Sequence, residues 1–196
     1  MPQPFVISGF PRCRTYWLSK LATIEGVTSC EHEPSFNMKD FPSLFNYFFD
    51  ERFAGLRYAG MSDSMVAPML PHLAAALPNM PMLIVLRSPD EVHASLTRIG
   101  LNPENLGTNA AGISAVLKHP MVKTIPYKDL GNSYKVRSAL RWAMPDIKID
   151  IRHIDTMQKQ VLTADAEEMG IIWQRSEGRV GNNKPMVTDG SYELFH

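Results

Sequence analysis

The sequence predicts an α/β domain of three layers, with a central parallel sheet of about five strands and helices on both faces. Three observations predict it. Short apolar runs alternate along the chain with segments of helical spacing. The run at 82–86 (MLIVL) is apolar at every position, as an interior parallel strand covered on both faces must be. At 5–18 and again at 82–96, an apolar run gives way to turn residues and then to a helical pattern. In such sheets ligands bind beyond the carboxyl ends of the strands.

The elements follow in order. Phe5, Val6 and Ile7 form a β-type run ending at Ser8 and Gly9. From Thr15, apolar residues at Trp17, Leu18, Leu21 and Ile24 have helical spacing, and Gly26 is placed to stop that helix. Residues 27–30 read as a second short strand, and 39–50 (KDFPSLFNYFFD) as helical after Pro42. Residues 56–59 read as a strand and 67–77 as a helix. After 82–86 come Arg87, Ser88 and Pro89, then a helix from Asp90 with Val92, Leu96 and Ile99 on one face. Residues 123–127 read as a strand, 136–144 as a helix, 147–151 as a strand, and 155–169 as one or two helices. Residues 1–196 make a single domain, of which 173–196 is an irregular, polar C-terminal tail.

Composition excludes several classes. At 44% hydrophobic and 20% charged residues, the chain is too apolar to be disordered. Twenty basic residues balance twenty acidic ones, which argues against binding nucleic acid or an anionic membrane through bulk charge. No run of about 18 apolar residues is present to span a membrane. The start MPQPFVISGFPRCR lacks a signal-peptide pattern. Cys13 and Cys30 make neither a disulfide framework nor a zinc site. A cytoplasmic protein without a metal is the expectation.

The first strand–loop–helix is basic. Arg12, Arg14 and Lys20 precede the first acidic residue, Glu25. A helix start adds free N–H groups and partial positive charge, so the loop suits phosphate or sulfate, with Thr15 as a hydroxyl donor. Against the nucleotide loop G-x-x-x-x-G-K-[ST], Gly9 fits the first glycine. Arg14 then stands at the second glycine, Thr15 at the lysine and Tyr16 at the magnesium-binding hydroxyl, a poor set for ATP·Mg²⁺. Cys13 at this basic helix start is expected to have a lowered pKa and to be open to alkylation.

Residues 11–18 (PRCRTYWL) resemble the P-[KR]-S-G-[TS]-[TS]-W-L loop of PAPS-dependent sulfotransferases, which holds the 5′-phosphosulfate. Pro11, Arg12, Thr15, Trp17 and Leu18 agree with it, while Cys13, Arg14 and Tyr16 depart from it. The second signature of that family is a buried strand followed by R-x-P-x-[DE]-x-x-x-S. Residues 82–96 resemble it, with Arg87 and Ser95 at the family's spacing of eight. The resemblance implies a P-loop-type fold of a small bacterial or phage-encoded kind. It implies a cofactor site of Pro11, Arg12, Cys13, Arg14, Thr15, Tyr16 and Trp17, with Arg87 and Ser95 on the 3′-phosphate. Tyr127-Lys128-Asp129-Leu130 resembles a Y-E-D-L stretch of the family, and the loop from Arg175 to Gly181 is similar to its late R-K-G-x-x-G loop, which brings in Arg179.

Sulfuryl transfer needs positioning, charge neutralisation on the leaving side and a base for the acceptor proton. Arg12 takes the role of the family's lysine. Cys30-Glu31-His32-Glu33-Pro34 follows the second strand and offers the base. His32 is the first choice because it titrates near neutral pH, with Glu31 or Glu33 to orient it. Family members use a histidine or a glutamate there, so His32 and Glu33 can exchange roles. Asp63 is the second candidate, with Asp63 or Ser64 lining the acceptor side, although the pattern slightly favours a cap for a helix over 65–77. The aromatics Phe36, Phe41, Phe45, Tyr47, Phe48 and Phe49 form either core or an apolar acceptor pocket.

The leading reading is transfer of a sulfuryl group from PAPS to a hydroxyl or amine of a small-molecule, glycan or peptide acceptor, without metal. The alternatives are a nucleotide or nucleoside kinase-like phosphotransferase, or a non-catalytic nucleotide-binding protein on the same scaffold.

Overall fold

The computed structural model describes residues 1–100, 102–103 and 106–159. Five strands, β1 (Gln3–Gly9), β2 (Thr28–His32), β3 (Tyr58–Ser62), β4 (Met82–Leu86) and β5 (Val122–Pro126), form one sheet in the order β2-β3-β1-β4-β5. Every pairing is parallel. Around the sheet lie helices α1 (Thr15–Ala22), α2 (Phe41–Tyr47), α3 (Leu70–Ala76), α4 (Pro89–Arg98), α5 (Leu106–Val116), α6 (Ser133–Ala143) and α7 (Ile151–Lys159). This is the α/β architecture that the alternation of patterns predicts. No helix among the described residues is long and apolar enough to cross a membrane.

The core is built on the central strands. Phe5, Val6 and Ile7 of β1 and Met82, Leu83, Ile84 and Val85 of β4 are wholly buried. Each such aliphatic side chain contributes about 1.5–3 kcal/mol by leaving water. The register then fixes the site. Ser62 pairs with Ile7 on one side and with His32 on the other, while Gly9 pairs with Val85. The carboxyl ends of β1, β2, β3 and β4 therefore open on one edge of the sheet. From β1 the chain goes first to the β3 side and later to the β4 side, which places the switch point beside β1.

Several elements differ from the sequence reading. Helix α1 stops at Ala22, because Thr23 turns extended and its hydroxyl bonds Ser19 O and Cys30 O. Gly26, at φ 70, serves the tight turn that follows. The helix read at 67–77 opens as a 3₁₀ turn, Ala67–Met69, before α3. Helix α6 starts earlier than read, because the Asn132 side chain accepts from the N–H groups of Tyr134 and Lys135. Residues 147–151 form no strand. Ile147 and Ile149 are buried in irregular chain, and Asp150 accepts from Arg152 N at the start of α7. Helix α5 had no counterpart in the sequence reading. The helical pattern of 155–169 is present to Lys159; its remainder and the tail from 173 lie outside the described residues.

Candidate functional site

The first wall of the site is the loop between β1 and α1. Gly9 ends β1 where a Cβ would come within 2.7 Å of Val85 O, so only glycine lets β1 lie this close to β4 here. Arg12 (φ 67) and Arg14 (φ 60) both take the left-handed conformation, and the second is the residue that precedes α1. The departure at Arg14 thus keeps the backbone shape that a glycine would give. No acidic residue occupies the first turn of α1. Free N–H groups at this helix start favour an anion.

The second wall comes from β4 and α4. Arg87 Nη1 donates to Arg12 O at 2.8 Å, and Arg12 Nε reaches Ser95 Oγ at 3.5 Å. The two basic loops therefore meet at the ends of β1 and β4. Tyr127, just past β5, lies under both arginine groups: Arg87 Cζ is 4.1 Å and Arg14 Cζ 5.8 Å from its ring centre. The motif at 127–130 assigns Tyr127 no role, because such cation–π contacts leave no signature in spacing. Arg12, Arg14 and Arg87 gather here, and the largely exposed Glu91 places its Oε2 3.5 Å from Arg87 Nε. Burial, together with neighbouring Arg87 and Arg98, pulls the Arg12 pKa below its usual value. It remains a cation, and the excess of positive charge favours an anionic ligand. Arg98 was absent from the sequence reading.

The third wall is the ends of β2 and β3. His32 Nε2 lies 3.3 Å from Thr15 Oγ1 and 3.8 Å from Glu33 Oε1. The Tyr16 ring meets the His32 ring edge-on at 5.1 Å, so Tyr16 faces this wall. Burial, aided by Lys20, lowers His32 to about 4, which corrects the expectation of a near-neutral histidine. Burial and then Asp63 push Glu33 up to about 7, against the pull of its bonds to Ser64. Of this pair, it is the carboxylate that titrates near neutrality. Glu31 pairs instead with Arg52 at 3.2 Å.

Other sequence candidates go elsewhere. The Cys13 side chain is fully buried in the core, and burial raises its thiol to about 12. This overturns the expectation of a lowered pKa and an alkylation target. Trp17 is buried too, and its Nε1 donates to Met157 O at 3.2 Å, docking α7 on α1. Asp63 is wholly buried, and burial raises its pKa. Its carboxylate accepts from the N–H groups of Ser35, Met65 and Val66, which makes it the anchor of two turns. Pro11 is partly exposed at the loop start, and Arg179 lies outside the described residues. The aromatics divide: Tyr47 and Phe48 join the core, while Phe41, Phe45 and Phe49 form a partly buried ladder with ring centres 6.5 and 5.2 Å apart.

No family model matches the chain, and no curated protein sequence matches it. Solved structures do. A sulfotransferase from Alicyclobacillus acidocaldarius matches with a TM-score of 0.55 at 17% identity, over 94% of this chain and 97% of that one. The mouse sulfotransferase SULT7A1 complexed with PAP matches with a TM-score of 0.56 at 10% identity, over 85% of this chain and 66% of that one. At these identities the likeness is one of fold, and the chain has a sulfotransferase-like α/β fold.

Proposed function

We propose that the protein is a sulfotransferase that uses PAPS as donor and a hydroxyl or amine as acceptor. The observation that carries this reading is the convergence of Arg12, Arg14 and Arg87, with Ser95 and Tyr127, at the ends of β1 and β4. Among the described residues the buried Arg87 Nε makes no hydrogen bond, only the 3.5 Å ion pair with the exposed Glu91. Such a set fits a ligand with two anionic groups. Thr15 and the loop N–H groups would hold the 5′ side, and Arg87 and Ser95 the 3′-phosphate. When bound, PAPS supplies the activated sulfuryl group.

The chain's own residues then have separate tasks. Arg12, a permanent cation, neutralises negative charge that develops on the leaving side. Glu33, half-ionised near pH 7, takes the proton of the acceptor. His32, neutral at that pH, bridges Thr15 and Glu33 by position. The likeness to two sulfotransferases, one of them complexed with PAP, supports the reading at the level of fold. Tyr16, with its ring edge-on to His32, stands where a nucleotide loop carries the serine or threonine that binds magnesium.

Thermal unfolding of the full chain with 3′,5′-ADP, 5′-AMP or ATP·Mg²⁺ tests the site. A ligand at 100 times its Kd stabilises by about 2.7 kcal/mol. The expected order is 3′,5′-ADP well above 5′-AMP, with Arg87→Ala removing the difference. Transfer of label from [³⁵S]PAPS to a panel of phenols, sugars and amines tests the reaction. Stabilisation by ATP·Mg²⁺ equal to that by 3′,5′-ADP, with no label transferred, would sink the proposal.

A further inference from the structure

A base must be aimed as well as ionisable, and the support behind Glu33 is unusually complete. Ser64 is buried, and its hydroxyl donates to Glu33 Oε1 at 2.8 Å. Its carbonyl accepts from Asn109 Nδ2 of α5 at 3.3 Å, and Asn109 is itself buried. Helix α5 cannot shift easily. A Cβ on Gly112 would fall 2.1 Å from Ala67 O, so the helix lies directly on the Ala67–Met69 turn. The residue before Ser64 is fixed as firmly. Asp63 N donates to Ile7 O at 2.8 Å, and Ser8 Oγ donates to Asp63 O at 2.7 Å. A chain of polar contacts, buried at its α5 end and part-buried beyond, thus runs from α5 through Ser64 and Glu33 to His32 and Thr15 in the basic loop.

We infer that Ser64 is a positioning residue for Glu33: its main chain is anchored by Asn109, and its hydroxyl fixes one carboxylate oxygen. The inference rests on the reading of Glu33 as the base. A serine hydroxyl has one hydrogen, and donating it to a carboxylate stabilises the charged state over the neutral one. Removing it therefore moves the Glu33 titration upward. The other ionisable groups facing Glu33 are His32 on β2, with Lys20 of α1 acting on it, and Asp63 after β3. None of them depends on the Ser64 hydroxyl for its charge.

The test follows the Glu33 carboxyl by ¹³C NMR in the full chain, with Glu33→Gln assigning the resonance. The expected midpoint is about 7 in the wild type. Ser64→Ala is expected to raise it by roughly one pH unit, and Asn109→Ala to raise it by less. In an active preparation the pH–rate limb moves with the midpoint, while KM for the donor stays the same. A midpoint that is unmoved or lowered in Ser64→Ala overturns the assignment. If that variant does not fold, Ser64→Gly, which also lacks the hydroxyl, decides by the same criterion. The titration needs neither donor nor turnover. A shift without label transfer leaves Ser64 assigned and the sulfotransferase reading refuted; label transfer without a shift does the reverse.

Discussion

Arg12 and Arg14 sit in the left-handed region, which costs a non-glycine residue about 1–2 kcal/mol each. The strain is held in place by the Arg87 bond to Arg12 O and by the stacking on Tyr127. The geometry keeps Arg12 beside Ser95. Arg12→Ala is therefore expected to cut sulfuryl transfer by about 100- to 1,000-fold. Cooperative unfolding should remain, and turnover at the wild-type rate would remove Arg12 from the chemistry. For the base, kcat/KM should climb with pH and level off above about 7, where Glu33 is ionised. A limb near pH 4 would instead assign the step to His32. The arginine and serine positions were legible in the sequence, because the identity and spacing of donors after a strand carry the information. Asp63 was legible as a cap, since its carboxylate accepts from Met65 N and Val66 N, but Cys13 was not, because burial decides its behaviour, and burial belongs to the folded neighbourhood of a residue.

Among the elements, β4 was the easiest to read and α5 the hardest, for one reason. Met82–Leu86 is apolar throughout and needs no partner to be recognised. Leu106–Val116 (LGTNAAGISAV) is full of small residues, with two glycines and no apolar stripe. It holds its place by close approach, which shows only when Gly112 is seen against Ala67 O. Gly112→Ala should lose about 1–3 kcal/mol in urea unfolding, since backbone must move to admit the methyl. A change below about 0.5 kcal/mol would mean that α5 packs elsewhere. The alternating isoleucines at 147–151 misled in the other direction. Ile147 and Ile149 bury their side chains as a strand would, but that segment pairs with no strand among the described residues. Asp150 instead caps α7.

For the whole molecule, His32 and Glu33 set opposing dependences of stability on pH. Glu33 rises from 4.5 to about 7 on folding, so the native state holds the extra proton between those values and stability falls as pH increases there. His32 drops from 6.5 to about 4, so the unfolded state holds the extra proton and stability grows with pH across that range. Each slope is about 1.4 kcal/mol per pH unit, and from pH 4.5 to 6.5 they cancel. Urea unfolding across this range should find Glu33→Gln gaining stability with rising pH and His32→Asn losing it. Parallel profiles for the wild type and both variants would refute the opposed pair. The bond between Arg87 and Arg12 joins residues 75 positions apart in the chain. This contact thus cannot exist until β4 has docked beside β1, a non-local pairing in a parallel sheet whose assembly is intrinsically slow. Nascent chains that have made only the first basic loop hold half a binding surface, so a bound anion guards the finished molecule against opening and does little to hasten its formation.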